Sequence, residues 1–271
     1  MSAKYEHLII ERDGGVDWVT MNRPEALNTL NRKLIQEMLD YFGNLYFDRD
    51  TRIVVLRGAG RAFSAGLDIK ENSERRAGEN VPVGPSAGLL HQRSISEIVM
   101  RMRRCQQPII SLVQGPACGG GFAFALASDI RIAGESARMN AAFIRIGLSA
   151  CDIGVSYFLP RLVGVSVASE LMLTGRFINA ERALRVGLVS EVVPDDQLSE
   201  AVKPYLQEML ATTPIGLRMT KECLNMSVDA PSLESAIAME DRNQILCSQS
   251  EDFREGMAAF LQKRAPVYRG A

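Results

Sequence analysis

The chain has 271 residues, 46% hydrophobic and 23% charged, a composition that fits one large soluble domain with an appended region. Lys and Arg number 31 against 32 Asp and Glu, and the net charge of -1 offers no electrostatic footprint for nucleic acid or an anionic membrane. The 5 cysteines are scattered without a Cys-x-x-Cys pair and only His7 and His91 accompany them, so no metal site is expected and reduced thiols in a cytoplasmic protein are.

The N-terminal residues carry no apolar leader-like run, and residues 8–11 and 16–21 read as strands around the turn Asp13-Gly14-Gly15. Residues 31–47 place Leu34, Ile35, Met38, Leu39 and Phe42 at helical spacing. The β-branched runs 53–56 and 109–113 predict strands buried on both faces. Between them, 72–88 is rich in Gly, Pro and charge and predicts a mobile loop, followed by a helix over 89–105 that stops before Pro108. The apolar stretch 108–127 is broken by Gln114, Gly115, Pro116 and a glycine triplet, which excludes a membrane span and leaves a helix over 120–127. A short strand over 130–133 completes an alternation that argues for an α/β fold with crossover connections.

Beyond residue 153 helices dominate, over 153–163, 166–174, 180–186, 195–211, 214–226, 231–246 and 250–263, with a strand at 188–193. The pattern divides the chain into a core, 1–199, and a helical C-terminal region, 200–271.

Two stretches carry the chemistry, Arg61-Ala-Phe-Ser-Ala-Gly-Leu-Asp-Ile-Lys-Glu71 and the run from Gln114 through Gly119-Gly120-Gly121 to Asp129. Each puts sterically open backbone at the end of a predicted strand, and the second opens a helix. Two such loops can aim N–H groups at one carbonyl oxygen without spending a charged side chain. Single glycines usually serve turns or packing, but three in a row opening a helix, partnered by an Ala-Gly-x-Asp loop, favour the functional reading.

With Asn22-Arg-Pro-Glu-Ala-Leu-Asn28, Ser128-Asp-Ile-Arg131, Leu171-Met-Leu-Thr-Gly175, 183–190 and 254–264, these stretches make the chain resemble the enoyl-CoA hydratase/isomerase, or crotonase, family nearly end to end. The resemblance implies a crotonase-like spiral of ββα units with a helical C-terminal trimerisation region, acyl-CoA as ligand and no separate cofactor. It also implies a homotrimer or dimer of trimers. It places the oxyanion hole at the N–H groups of Leu67 and Gly120. Ala26, Ala65, Gly66, Asp68, Gly119 and Phe143 then fall along the CoA and acyl moieties, and Phe260 and Lys263 of the last helix reach a neighbour's CoA site. Packing and solvation account for Phe260 and Lys263 equally well.

Family hydratases carry one glutamate two residues after the glycine triplet and another on the next segment; by the resemblance those positions are Ala123 and Phe143 here. A positioned acid or base contributes about 10²–10⁴ in rate, so the two-glutamate hydration mechanism is not expected. Asp152 stands where dienoyl-CoA isomerases and 3-hydroxyacyl-CoA hydrolases carry an aspartate, and as a residue ahead of a helical run it is equally a natural N-cap. Asp68 and Asp129 read as loop or turn supports, Glu97 as a weaker candidate acid, His91 as a surface or satisfied histidine, and Arg101, Arg103 and Arg104 as a solvated face. Cys118 and Cys151 lack a histidine nearby in sequence and read as packing residues; Phe122 and Phe124 fit pocket walls or core. The expected reaction is double-bond isomerisation or a hydratase-type step, against CoA thioester hydrolysis or a silent acyl-CoA-binding or RNA-binding role.

Overall fold

A hairpin opens the chain. Strand β1 (Leu8–Asp13) pairs antiparallel with β2 (Val16–Met21), Leu8 opposite Met21, and Gly14 takes the positive φ of 57° that the two-residue turn demands. The computed structural model describes residues 5–71, 73 and 84–270. In chain order follow β3 (Ile53–Gly58), β4 (Ile109–Val113), β5 (Pro116–Cys118), β6 (Ile130–Gly134), β7 (Arg138–Asn140), β8 (Ile178–Asn179) and β9 (Glu191–Val193). Among the described residues, β1-β2-β3-β4-β6-β9 form one sheet, parallel after the hairpin, and β5-β7-β8 form a second, smaller one.

The continuous apolar runs of β3 and β4 are explained by helices on both faces of the large sheet. Val54 and Leu56 join one core, together with α1 (Arg32–Leu45), α2 (Pro85–Arg104), α3 (Gly120–Ala127) and α4 (Val155–Thr174). Ile53, Val55, Ile110 and Leu112 face a second core, which Leu198, Val202 and Leu206 close from the helices after β9. Asn31 caps α1 by accepting from Leu34 N–H at 2.9 Å. Glu37, buried on the apolar side of α1, accepts the N–H groups of Glu6, His7 and Leu8 and so fixes the entry to β1.

Helix α2 begins at Pro85, not at residue 89, with proline at its first position where the missing N–H costs nothing. Of the loop expected over 72–88, residues 72 and 74–83 lie outside the described residues and 85–88 are helical. The two helices expected over 153–163 and 166–174 are present as the two halves of α4, which breaks at Gly164, where φ is 77° and ψ 158°. The expected strand over 188–193 shrinks to β9. The helix expected over 195–211 divides at Val202 into α6 (Leu198–Ala201) and α7 (Lys203–Leu210), with Pro204 in the first turn of α7; α5 (Ala180–Arg185) precedes β9.

The C-terminal helices are α8 (Pro214–Ser227), α9 (Leu233–Ser248) and α10 (Glu251–Gln262). Polar staples hold α8: Lys221 Nζ reaches Gln107 O at 2.7 Å and Asp129 at 2.9 Å, and Asn225 donates to Arg103 O at 3.0 Å. The arginine cluster of α2 is therefore not a solvated face. Arg101 donates to Leu39 O at 2.7 Å as well as to Glu97, and Arg103 pairs with Asp129 at 3.0 Å, while Arg104 reaches only Glu97, at the surface. Asp129 is the shared anchor of this corner, also accepting from Ile109 N–H.

Candidate active site

The first loop is shaped by Asn28. Its buried amide accepts from Arg23 N–H at 2.8 Å and donates to Ala59 O and Ala62 O at 2.9 and 2.8 Å, joining the turn after β2 to the one after β3. This holds Leu27 and Asn28 at φ 52° and 54°, where a side chain other than asparagine or glycine is strained. From there Leu27 O accepts Ala65 N–H, Leu30 N–H donates to Gly66 O, and Asp68 N–H donates back to Leu30 O, so Leu67 is bridged to Leu30 with its own N–H left outside the pairing.

The second loop is zipped to the first. Ser64 and Ala117 form a parallel bridge, with Ser64 N–H to Pro116 O at 3.1 Å and Cys118 N–H to Ser64 O at 2.9 Å. Contact is then so close that only glycine fits. A methyl group added at Gly66, where φ is 91°, would stand 2.7 Å from Cys118 O and 3.5 Å from Gly120 N, and one at Gly121 would stand 2.3 Å from Ser64 O. Gly119 turns the chain into α3 at φ 50° and ψ -114°, leaving Gly120 as the first residue of a helix whose every residue is buried. Among the described residues neither Leu67 N–H nor Gly120 N–H has a hydrogen-bond partner. Two unpaired donors therefore lie on adjoining loops, one of them at a helix N-terminus, an arrangement suited to an oxyanion.

The segment that carries Asp152 reaches Gly120. The next residue, Ile153, places its Cδ1 3.7 Å from where a Gly120 methyl would be. Asp152 does not cap α4, whose N-cap is Gly154 with no side-chain bond. Instead its Oδ1 accepts from Ile153 N–H at 2.8 Å and from the Gln92 amide of α2, and its Oδ2 has no partner among the described residues. Burial raises its pKa above the ordinary aspartate value, partly opposed by those two hydrogen bonds to the charged form. The sequence reading missed Gln92. Its one signal was that helical spacing puts 92, 96 and 99 on the face of α2 turned towards residues 153 and 154.

With this geometry in view, similarity to known proteins decides the family. The sequence profile described as enoyl-CoA hydratase/isomerase matches residues 11–271. The chain belongs to the enoyl-CoA hydratase/isomerase family. It is 40% identical to "Probable enoyl-CoA hydratase EchA12" of Mycobacterium tuberculosis over 92% of this chain and 88% of that one. It is 32% identical to 1,2-epoxyphenylacetyl-CoA isomerase of Escherichia coli over 98% of this chain and 99% of that one. The crystal structure of an enoyl-CoA hydratase from Bacillus anthracis superposes with a TM-score of 0.90 at 31% identity, covering 98% of this chain and 100% of that one. The fold is thus crotonase-like, and the protein is an enzyme of the hydratase/isomerase family that processes acyl-CoA.

The remaining candidates distribute clearly around this hydratase/isomerase framework. Ala123 is fully buried within α3, and Phe143 lies against Gly119, its ring 3.4 Å from an added methyl. Phe122 and Phe124 are core, not pocket walls. Burial pushes the Cys118 thiol up to about 11, away from thiolate chemistry, and Cys151 is exposed. Glu97 is tied to Arg101 at 3.1 Å, and His91 shares a small cleft with Leu67, Asp68 and Glu71. Asp68 is occupied within the protein: burial would raise its pKa, but bonds from Glu71 N–H, Arg23 and Thr29 outweigh burial and hold it below the usual value. Ala26 ends a 3₁₀ turn, Pro24–Ala26, beside the first loop. Phe260 is 79% exposed and Lys263, at φ 54°, ends α10; neither lines a described cavity.

Among the described residues two cavities approach the upper end of the size range of ligand sites. One, of about 900 Å³, opens past the ends of β3 and β4 among Arg57, Arg61, Gln114, Arg138 and Asp195 and includes neither unpaired N–H. The other, of about 980 Å³, runs between α2 and α4 among Ser96, Val99, Met100, Ile153, Tyr157 and Phe158. Its walls are mostly apolar and, like the first, it includes neither unpaired N–H, but its lining residue Ile153 follows Asp152 in the chain and approaches Gly120.

Proposed function

We propose that the protein polarises the thioester carbonyl of an acyl-CoA between Leu67 N–H and Gly120 N–H, with Asp152 moving a proton along the acyl chain. Asp152 Oδ2 takes a proton from the carbon next to an unsaturated or carbonyl-conjugated position. The electron pair spreads to the thioester oxygen, which the two N–H groups and the α3 N-terminus stabilise, and the same carboxyl returns the proton at the other end of the allylic system. A single shuttling acid suits isomerisation better than hydration, because adding water across a double bond calls on one group to activate water and another to deliver the proton. The observation that carries this reading is the pairing of two unpartnered N–H donors with a carboxylate whose Oδ1 is tied down and whose Oδ2 is open.

The CoA moiety follows Ala26, Ala65, Gly66 and the Asp68 loop, and the acyl chain enters the groove between α2 and α4, past Phe143 and Gly119. Coenzyme A is part of the substrate, and no separate cofactor is called for. The C-terminal helices bury few side chains on themselves while exposing Leu224, Ile237, Ile245, Leu246 and Phe260, which supports assembly with further copies as a trimer or dimer of trimers that places Phe260 and Lys263 against a neighbour. A cytoplasmic location fits the five free cysteines.

Assay of purified protein against 2-enoyl-, 3-enoyl- and dienoyl-CoA thioesters tests the reading. Isomerised product is expected from the parent and is lost in Asp152→Asn. Full activity in that variant refutes the role of Asp152, and release of free CoA, followed with a thiol reagent, would assign hydrolysis in place of isomerisation.

A further inference from the structure

Asp152 cannot hold its working orientation by itself. The last torsion of an aspartate is broad and two-fold, so a free carboxylate presents either oxygen to a substrate. Here two donors meet on Oδ1: the Ile153 N–H at 2.8 Å, from a residue in the left-handed region at φ 35°, and the Gln92 side-chain amide from across the groove. Gln92 is itself set by α2. Its backbone carbonyl accepts from Ser96 Oγ at 3.1 Å one turn on, and the helix face that carries it continues through Ser96, Val99 and Met100 along the acyl groove. The neighbouring titratable groups lie to either side, His91 in the cleft with Leu67 and Glu71, and Cys151 exposed on the loop before Asp152.

We infer that Gln92 is the positioning residue of this reaction: its amide, with the Ile153 N–H, holds Oδ1 of Asp152 and so turns Oδ2 towards the acyl chain. The inference rests on Asp152 being the proton shuttle. Gln92 spans two elements that the substrate must pass between, so it ties the orientation of the base to the width of the groove. Leucine at 92 would keep the volume and lose the donor. Glutamate would keep the shape, replace the donor with a second acid, and place like charge against Asp152.

The test is deuterium incorporation from D₂O into an acyl-CoA next to its thioester, together with isomerisation rates, for the parent, Gln92→Leu, Gln92→Glu, Gln92→Asn and Asp152→Asn. Loss of one hydrogen bond to a charged group is expected to lower kcat about 10- to 100-fold in Gln92→Leu with little change in KM. The rising limb of the kcat profile moves to higher pH in Gln92→Leu and further in Gln92→Glu, since both remove the donor that favours the carboxylate. Gln92→Asn, which keeps an amide on a shorter stem, recovers part of the rate. An unmoved limb and parental kcat in folded Gln92→Leu and Gln92→Glu, alongside an inactive Asp152→Asn, overturn the role of Gln92 alone. Exchange at the parental rate in Asp152→Asn overturns the underlying reading, and this inference with it.

Discussion

Gly66→Ala tests the packing of the two loops directly. The new methyl would stand 2.7 Å from Cys118 O where ordinary contact begins at 3.4 Å, so the loops must part by about 0.7 Å. A donor 2.9 Å from an oxyanion that retreats by about that much no longer forms a hydrogen bond. The expected loss is thus close to that of one oxyanion donor, about 2.7–4 kcal/mol, or 10²–10³ in kcat. The φ of 91° adds a folding penalty of about 1–3 kcal/mol, visible in denaturant unfolding. Gly120→Ala is the matched control. Its backbone is helical, and the added methyl meets side-chain tips and no backbone, Leu30 Cδ1 at 2.6 Å and Ile153 Cδ1 at 3.7 Å. Isomerisation kinetics at saturating enoyl-CoA should rank parent, Gly120→Ala and Gly66→Ala in falling order, with the first two within about tenfold. A folded Gly66→Ala with parental kcat would refute the claim that loop contact sets the hole.

Three further outcomes follow from the same structure. Ser96→Trp narrows the groove between α2 and α4, and kcat/KM for long-chain acyl-CoA should fall at least about tenfold while short-chain turnover is kept; equal losses for both place the chain elsewhere. Asn28→Ala strands Arg23 N–H and two carbonyls and should cost about 2–5 kcal/mol in urea unfolding, a loss under about 1 kcal/mol contradicting the bonding described. Burial raises the Asp152 pKa, so the stability it contributes is present below the unfolded value, about 3.9, and is lost as pH rises through the raised folded value. Asp152→Asn should therefore melt above the parent near neutral pH, with the gap closing on acidification; a gap that widens on acidification reverses the sign.

The sequence carried the two glycine loops better than the candidate acid. Glycine is read through what its absence of a side chain permits, and the triplet at 119–121 with Gly66 marked both loops before any coordinates were needed. Asp152 was ambiguous because an aspartate before a helix is a capping signal in any context. Only the fold shows that Gly154 begins the helix and that Asp152 is held instead by Gln92, 60 residues away. Long-range partners of this kind leave no local pattern. The arginines of α2 misled for the same reason: charge on a helix suggests water, yet Arg101 and Arg103 find backbone and Asp129 in segments distant in sequence. The small sheet was hidden because its strands have three residues or fewer, too short for period-two alternation.

Where the backbone departs from its preferences is itself informative. Among the described residues, the non-glycine positions with positive φ are Leu27, Asn28, Ile153 and Lys263. Three of these border the proposed hole and base, and Ile153 is the least tolerant type, since a β-branched side chain in the left-handed region is a true outlier. Such positions cost about 1–3 kcal/mol each and persist only where neighbouring contacts over-determine them. Asn28 is held by three hydrogen bonds, and Ile153 is buried against α3 with its N–H committed to Asp152. The strain of non-glycine residues is therefore concentrated in the two segments that carry the proposed donor and base.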